Sequence, residues 1–546
     1  MSSPDQTNVT PSYLANKVAE SDKTESLKGS TKDKSTYDPS IALAQEIDRD
    51  GESFDEVPQS NRRIGTFSAV MLISNRIIGT GIFATPGSIV SSTGSIGLAL
   101  IFWVIGALIA GSGLAVYLEW GLAIPRSGGE KNYLEFYYRR PLYLISCMYA
   151  MYAALLGWPS GNSVYAGEML LNAADTELGR WNQRAIGVGV VTFGLIIHGC
   201  APKWGIRLQN VLGIFKIGVL LFIVFAGFAA LAGRVQAGAP NPSNFKNAFA
   251  GSKSDANSFV SAMYNVIWSF VGYSNCFYSM SEIKSPIKTV RRAAPLAIIL
   301  ITIVYLLVNI AFFAAVPKDV ILTSNRLLAA EFFGRMFGDK ANKAVSVLIA
   351  LSAIGNVLSV LFSQGRVNQE LGREGIYPFA KFFASNKPFN APLAGLALHW
   401  AVTLIIILAP PGGDAYSFLL NLISYPLNIF NTLISFGLLM IYFQKDKHQW
   451  NSPFSCTLPV VIFFFLANLF LVIAPLVPPA AGNEPYKYLP YWLHVVVGFG
   501  IIGAGIVYWI VWANILPRIG GYRLGRIEVL GEDGLTRKVF VKERLD

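Results

Sequence analysis

Charge is the first thing this chain lacks. Asp, Glu, Lys and Arg supply 14% of its 546 residues, where a soluble domain carries about a quarter. That shortage excludes an ordinary multidomain globular enzyme and an intrinsically disordered chain. Cysteine is scarce as well. Cys147, Cys200, Cys276 and Cys456 show no CxxC spacing and sit in or beside apolar segments, so they read as small hydrophobes and not as a disulfide framework or metal site. Histidine is limited to His198, His399, His448 and His494, far apart in the chain. No HExxH, GxSxG or Walker A pattern occurs, so no catalytic, metal or cofactor site is expected. Residues 1–60 contain no apolar run long enough for a signal peptide. What is abundant is apolar surface, 53% of residues with a mean hydropathy of +0.45. The expected class is an all-α polytopic membrane protein.

The charge is unevenly placed. Residues 1–60 hold six basic and twelve acidic side chains, so a total of +11 leaves +17 on residues 61–546. No basic stripe with interleaved aromatics accompanies it, which argues against nucleic acid. Excess Lys and Arg in short loops is what the positive-inside rule produces. Apolar runs of about 20 residues mark twelve transmembrane helices near 66–90, 96–124, 142–171, 185–201, 206–232, 258–282, 293–316, 343–365, 391–409, 415–442, 456–477 and 489–515. Arg126, Lys131, Arg139, Arg140, Lys203, Arg207, Lys284, Lys288, Arg291, Arg292, Arg373, Lys381, Lys387, Lys445 and Lys447 all fall in loops on one side. Both termini are therefore expected in the cytoplasm. The domain plan is a disordered N-tail (1–60), a ten-helix core (61–442), two peripheral helices (443–515) and a C-tail (516–546). Within the C-tail, alternation over Tyr522–Leu530 and Leu535–Val541 around Gly531-Glu-Asp-Gly534 predicts a β-hairpin.

Gly79-Thr-Gly81-Ile-Phe-Ala84 formally matches the dinucleotide fingerprint GxGxxA. It lies midway along an apolar span with no preceding soluble strand, so that reading fails. Inside a membrane these glycines, with Pro86 one turn later, weaken a helix at its centre. Freed backbone groups are tolerated there only where they line a cavity or bind something. The sixth span repeats the feature at Trp268-Ser-Phe-Val-Gly-Tyr-Ser-Asn275. Spans 1 and 6 correspond in a 5+5 inverted repeat, and paired interruptions in matching halves point to a midplane binding site. Such a site suits a zwitterion. N–H groups of Thr80, Gly81 and Ile82 would meet a carboxylate. Carbonyls of Ile77, Ile78, Phe270 and Val271 would accept from an ammonium.

Arg76-Ile-Ile-Gly-Thr-Gly-Ile-Phe-Ala-Thr-Pro86, Glu119-Trp-Gly-Leu-Ala-Ile-Pro-Arg-Ser-Gly-Gly129, Glu282-Ile-Lys-Ser-Pro286 and Leu371-Gly-Arg-Glu-Gly-Ile-Tyr-Pro378 resemble the L-type amino acid transporter group of the amino acid–polyamine–organocation superfamily. Asn75-Arg76, Gly128-Gly-Glu-Lys-Asn-Tyr133 and Phe270-Val-Gly-Tyr-Ser-Asn275 resemble the fungal high-affinity methionine permeases within it. The resemblance implies a leucine-transporter-type fold, two inverted five-helix halves with broken helices 1 and 6, plus two peripheral helices. It implies import of neutral amino acids, methionine first, by alternating access with proton symport at the plasma membrane. An exchanger for other neutral amino acids and a transporter-like sensor remain alternatives. The implied partners are the amino acid, protons and the lipid bilayer, with no cofactor.

The same resemblance makes Phe270 or Tyr273 an aromatic gate and lets Gly157 and Gly161 contribute to the substrate site. It also has Asn275 tie the unwound segments, next to Gly272. The glycines have a second reading, as close helix contacts. Lys216, alone in the fifth span, is a functional candidate by position. Burial disfavours its charged form, so it could carry the coupled proton; the resemblance to exchanger relatives implies instead a permanently charged strut on span-1 carbonyls. Arg76 and Glu119 are expected as an internal pair or as separate gate struts, and Glu282 as an inner-gate partner. Lys17, Lys23, Lys28, Lys32 and Lys34 precede the acidic run Glu46–Glu56. By resemblance they imply ubiquitin attachment, with ubiquitin-ligase adaptors as partners of the N-tail.

Overall fold

A computed structural model of the protein describes residues 64–544, apart from 126–127, 236–241, 325, 412, 445–447, 449, 480–483 and 531–535. The N-tail lysines and acidic run lie outside the described residues. The first span is three helices in succession, α1 (Thr66–Ile77), α2 (Gly81–Ala84) and α3 (Pro86–Thr93). Pro86 opens α3 at its first turn, where a missing N–H costs nothing, and Gly94 closes it in the left-handed region at φ 77°. Then come α4 (Ile96–Ala123), the loop helix α5 (Glu130–Tyr137), α6 (Leu144–Leu155), α7 (Ser160–Ala173), α8 (Arg180–Cys200) and α9 (Pro202–Leu231). Next, α10 (Ala256–Phe270) gives way to a 3-10 segment, Asn275–Glu282, before α11 (Pro286–Ala315). Two short helices, α12 (Lys318–Ser324) and α13 (Leu328–Phe337), lead into α14 (Asp339–Arg373). The rest is α15 (Ala380–Ala384), α16 (Leu393–Leu408), α17 (Ala415–Phe443), α18 (Leu458–Ile473), α19 (Leu493–Trp509), α20 (Leu516–Gly520), β1 (Tyr522–Leu530) and β2 (Thr536–Arg544).

Among the described residues, nine stretches are long and apolar enough to cross a membrane. The other three expected spans depart from a single long helix. Residues 258–282 break as the sequence predicts. Residues 391–409 hold the 16-residue apolar α16. Residues 142–171, expected to be continuous, are split into α6 and α7 around Leu156–Pro159. Pro159 lacks the N–H that would continue the α6 ladder, and Ser160 starts a new helix by donating its N–H to Gly157 O at 3.0 Å.

Small residues set the distances between helices. A Cβ at Gly227 would stand 2.6 Å from Ala311 Cα, and one at Gly505 2.4 Å from Met148 Cα. Backbone therefore packs on backbone, the arrangement small residues allow in lipid, where apolar burial provides no driving force.

The C-terminal hairpin pairs antiparallel from Tyr522↔Arg544 to Leu530↔Thr536 and docks on the helical body. Phe540 N–H donates to Glu374 O at 2.8 Å, and Tyr143 OH to Leu524 O at 3.2 Å. The Arg526 guanidinium donates to Glu135 Oε1 at 2.7 Å and covers the Phe540 ring at 4.4 Å. Lys131 bridges Glu135 at 3.1 Å and also pairs with Glu374. Burial by itself would raise the Glu135 carboxyl; Arg526 and Lys131 override it and hold it well below the usual carboxylate range. Removing a charged hydrogen-bond partner costs about 1.5–3 kcal/mol. Arg526→Ala is therefore expected to speed amide exchange across Tyr522–Leu530 by about tenfold or more and to leave the α4 and α14 amides unchanged, as measured by mass spectrometry in micelles.

Candidate functional site

The first span breaks at Ile78–Thr80, between α1 and α2. Each backbone group exposed there needs a partner, because water is absent from hydrocarbon. Lys216, fully buried on α9, donates Nζ to Ile78 O at 2.7 Å and to Asn75 O at 3.2 Å. Tyr305 OH donates to Ile77 O at 3.2 Å. Ile77 and Ile78, expected to receive an ammonium from outside, thus already accept from the protein itself, each keeping one lone pair. Asn162 on α7 accepts from Thr80 N–H at 3.2 Å and from Thr80 Oγ1 at 2.6 Å. It donates Nδ2 to Asn356 Oδ1 at 3.0 Å, and Asn356 Nδ2 donates to Arg76 O at 2.8 Å. Gly79 fits under this pair, since a Cβ there would lie 2.8 Å from Asn356 Nδ2. The N–H groups of Gly81 and Ile82 open α2 without an acceptor inside the helix.

The sixth span turns at Val271–Ser274. Gly272 takes φ +124°, a conformation open to glycine and strained for other residues, and a Cβ on it would fall 2.6 Å from Arg76 Cγ. The two breaks therefore touch. Gly81 likewise presses on α10, with a built Cβ 2.6 Å from Ser269 Cα, and Thr85 Oγ1 meets Ser269 Oγ at 3.0 Å. Further along, Ile64 and Ile283 form a parallel bridge, and Lys284 N–H donates to Ile64 O at 2.9 Å. The α1 half and the 3-10 half are joined at two places. The Phe270 and Val271 carbonyls end α10 with no intrahelical donor.

The aromatic residues divide. Phe270 is buried between Trp103 (ring centroids 6.0 Å) and Tyr305 (5.3 Å). Tyr273 is half-buried beside Tyr117, at 5.7 Å. Gly161 faces the Trp268 ring, its built Cβ 3.5 Å away, whereas Gly157 packs on α16 at Thr403 Cα and Ile406. Tyr416 OH lies 3.2 Å from Thr80 Oγ1. Over Tyr416 sits Arg326, with Cζ 5.4 Å from the ring, paired at 3.4 Å to the buried Glu168 of α7.

One expected tie is missing, and one of two open readings falls away. Asn275 ties nothing: both polar atoms of its side chain are buried without a hydrogen bond among the described residues. Asn162 and Asn356 hold the break instead. Glu119 and Arg76 do not pair among the described residues. Glu119, 1% exposed, accepts from Tyr442 OH, from Trp450 Nε1 at 2.9 Å and from Cys456 N–H at 2.7 Å. It ties the last turn of α17, through Tyr442, and the chain after it, through Trp450 and Cys456, to α4; Arg76 instead lies near the phenols of Tyr278 and Tyr152. The Glu282 side chain lies outside the described residues. Asn162, Asn356, Ser269 and Tyr416 were missed because uncharged polar residues inside apolar spans are common. Their signal was a buried amide at mid-span, which must find a partner.

Loss of Asn162 would leave Thr80 N–H and the Asn356 amide short of partners, a cost of about 1–3 kcal/mol. Asn162→Ala is expected to lower the thermal midpoint in detergent by several degrees. Asn275→Ala is expected to change it little; equal shifts would remove the distinction drawn between the two.

Residues 64–501 match the family model described as amino acid permease. The chain is 52% identical over 490 residues to the high-affinity methionine permease of Saccharomyces cerevisiae, covering 89% of this chain and 85% of that one. It is 32% identical to the low-affinity methionine permease of the same yeast, covering 94% of each. It is also 25% identical to the human b(0,+)-type amino acid transporter 1, over 83% of this chain and 90% of that protein. These relatives are transporters and not enzymes, and so this multi-pass helical membrane protein belongs to the amino acid permease family.

Proposed function

We propose that the protein is a plasma-membrane secondary transporter that imports neutral amino acids, L-methionine first, by alternating access and proton symport. The single observation that carries the reading is the contact of two helix breaks, in the first and sixth spans, at Gly272 and Arg76. The N–H groups of Gly81 and Ile82 have no acceptor inside α2, and the carbonyls of Phe270 and Val271 have no donor inside α10. An α-carboxylate takes the first set and an α-ammonium the second, so neither end of a zwitterion needs a charged side chain against it. Gly161, beside the Trp268 ring, adds no side chain of its own, and a soft apolar wall suits an unbranched thioether. That two relatives are named methionine permeases supports the substrate.

In this reading twelve crossing segments form two inverted five-helix halves plus two peripheral helices, with both termini in the cytoplasm. The ubiquitin-acceptor role of the N-tail belongs to the same proposal. Lys216 acts as a charged strut, a fixed cation in place of a bound ion, supported by its bonds to Asn75 O and Ile78 O.

Labelled methionine uptake into proteoliposomes, with and without an inward proton gradient and against a panel of neutral amino acids, tests the reading. Concentrative uptake that needs the gradient and is blocked best by methionine is the expected result. Uptake confined to preloaded vesicles would mean exchange, and transport of another amino acid alone would cancel the substrate. Lys216→Met is expected to abolish exchange and net uptake together, as loss of a strut does. Exchange that survives with accumulation lost would make Lys216 the proton carrier.

A further inference from the structure

Glu130 is a buried acid that nothing above uses. It opens α5, directly after Gly128 (φ +112°) and Gly129 (φ +53°), two backbone conformations that favour glycine. The double glycine turns the chain inward and leaves the Glu130 side chain in the interior; the residue is 2% exposed. A Cβ at Gly129 would stand 3.0 Å from the Tyr278 ring, so the missing side chain is what lets that phenol approach.

Three phenols from three elements surround the carboxyl. Tyr278 OH, on the 3-10 half of the sixth span, donates to Oε1 at 2.7 Å. Tyr149 OH of α6 donates to Oε2 at 3.2 Å. Tyr117 OH of α4 lies 3.2 Å from Oε1 and 2.8 Å from Asn431 Oδ1 of α17. Tyr117 has one proton, and the shorter bond to Asn431 uses it. The contact with Oε1 is then satisfied by an O–H on the carboxyl, with Tyr278 and Tyr149 still donating. Every polar atom is paired when Glu130 is neutral.

Among the described residues, no ion pair reaches the acid. Its neighbour Lys131 is committed to Glu135 and Glu374. Tyr133 on its own helix, Tyr152 of α6 and Tyr273 beside Tyr117 complete the titratable groups that face it. Arg76 of α1 stands beyond, near Tyr152 and Tyr278. Burial, the largest influence, pushes the Glu130 carboxyl above the usual range, and the phenol bonds oppose it. The N-terminus of α5 also favours the anion.

We infer that Glu130 is the site of the coupled proton, gained with the substrate and released to the cytoplasm when the 3-10 half of the sixth span moves away. This rests on the reading of proton-driven import. While Tyr278 seals it, the carboxyl is dry and holds its proton. Displacing Tyr278 admits water, removes the desolvation and lets the proton leave as Glu130 becomes a carboxylate. The device links protonation to the segment that carries Tyr273 and Gly272, the same segment that bounds the substrate site.

The test uses full-length protein in proteoliposomes and two assays, methionine–methionine exchange at equal pH and net uptake under an inward proton gradient. Glu130→Gln is expected to lose accumulation, falling to an inside:outside ratio near unity, with exchange still measurable and flat across pH. Glu130→Asp is expected to restore gradient-driven uptake. Tyr278→Phe removes a bond to the anion and is expected to move the pH midpoint of uptake upward, a shift that a merely structural role would not produce and that can be read even if the Gln variant fails to fold. A Gln variant that still accumulates methionine, or an unshifted Phe variant, would overturn the inference. Wild-type protein that exchanges but never accumulates would instead overturn the symport reading and this inference with it.

Discussion

Hydrocarbon offers no hydrogen bonds, so a helix that stops halfway across a membrane must find a protein partner for every group it frees. The rest of this structure follows from that demand at Ile78–Thr80. Lys216, Tyr305, Asn162 and Asn356 come from four different helices, and each meets one or two atoms of the broken segment. The position of α1 is thereby tied to α7, α9, α11 and α14. The N–H groups opening α2 and the carbonyls closing α10, which have no partner within their own helices, are what a zwitterion would need.

The halves of the first and sixth spans are also joined to each other. Gly272 rests on Arg76, and Ile64 pairs with Ile283. Such joints hold the two half-helices against each other. The phenol cluster around Glu130 sits where that pair meets α5, so its packing and the protonation of the carboxyl are two views of one equilibrium. The Arg526–Glu135 contact fastens the C-terminal hairpin to the same loop helix. Glu119, by contrast, is occupied with the chain between α17 and α18 and belongs to a separate joint.

Much of the fold was legible because its signals are local. Apolar runs marked the spans, paired Gly-rich interruptions marked the breaks, and alternation around Gly531–Gly534 marked a hairpin whose observed strands run from Tyr522 to Leu530 and from Thr536 to Arg544. The split of the third span was written in Trp158-Pro159 but read as continuous, because apolar content alone does not show where a ladder of N–H donors is interrupted. Lys216 stood out as a lone charge, but its two acceptors, Asn75 O and Ile78 O, came only with the fold.

The partners of uncharged polar residues were not legible. Asn275 and Asn162 both lie beside small residues in apolar spans, and the chain gives no reason to prefer either. Only tertiary packing puts Asn162 Oδ1 against Thr80 and leaves the Asn275 amide without a partner among the described residues. Glu119 and Glu130, eleven residues apart, are equally acidic on paper, yet one is met by an indole, a phenol and the backbone of a distant loop and the other by three phenols and its own backbone N–H. The sequence by itself determined where helices run, where they break and which class of membrane protein results, since periodicity and hydropathy depend on near neighbours. Which atoms close each break and which acid is left to carry a proton depend on residues hundreds of positions apart, and only the folded chain brings them within hydrogen-bond reach.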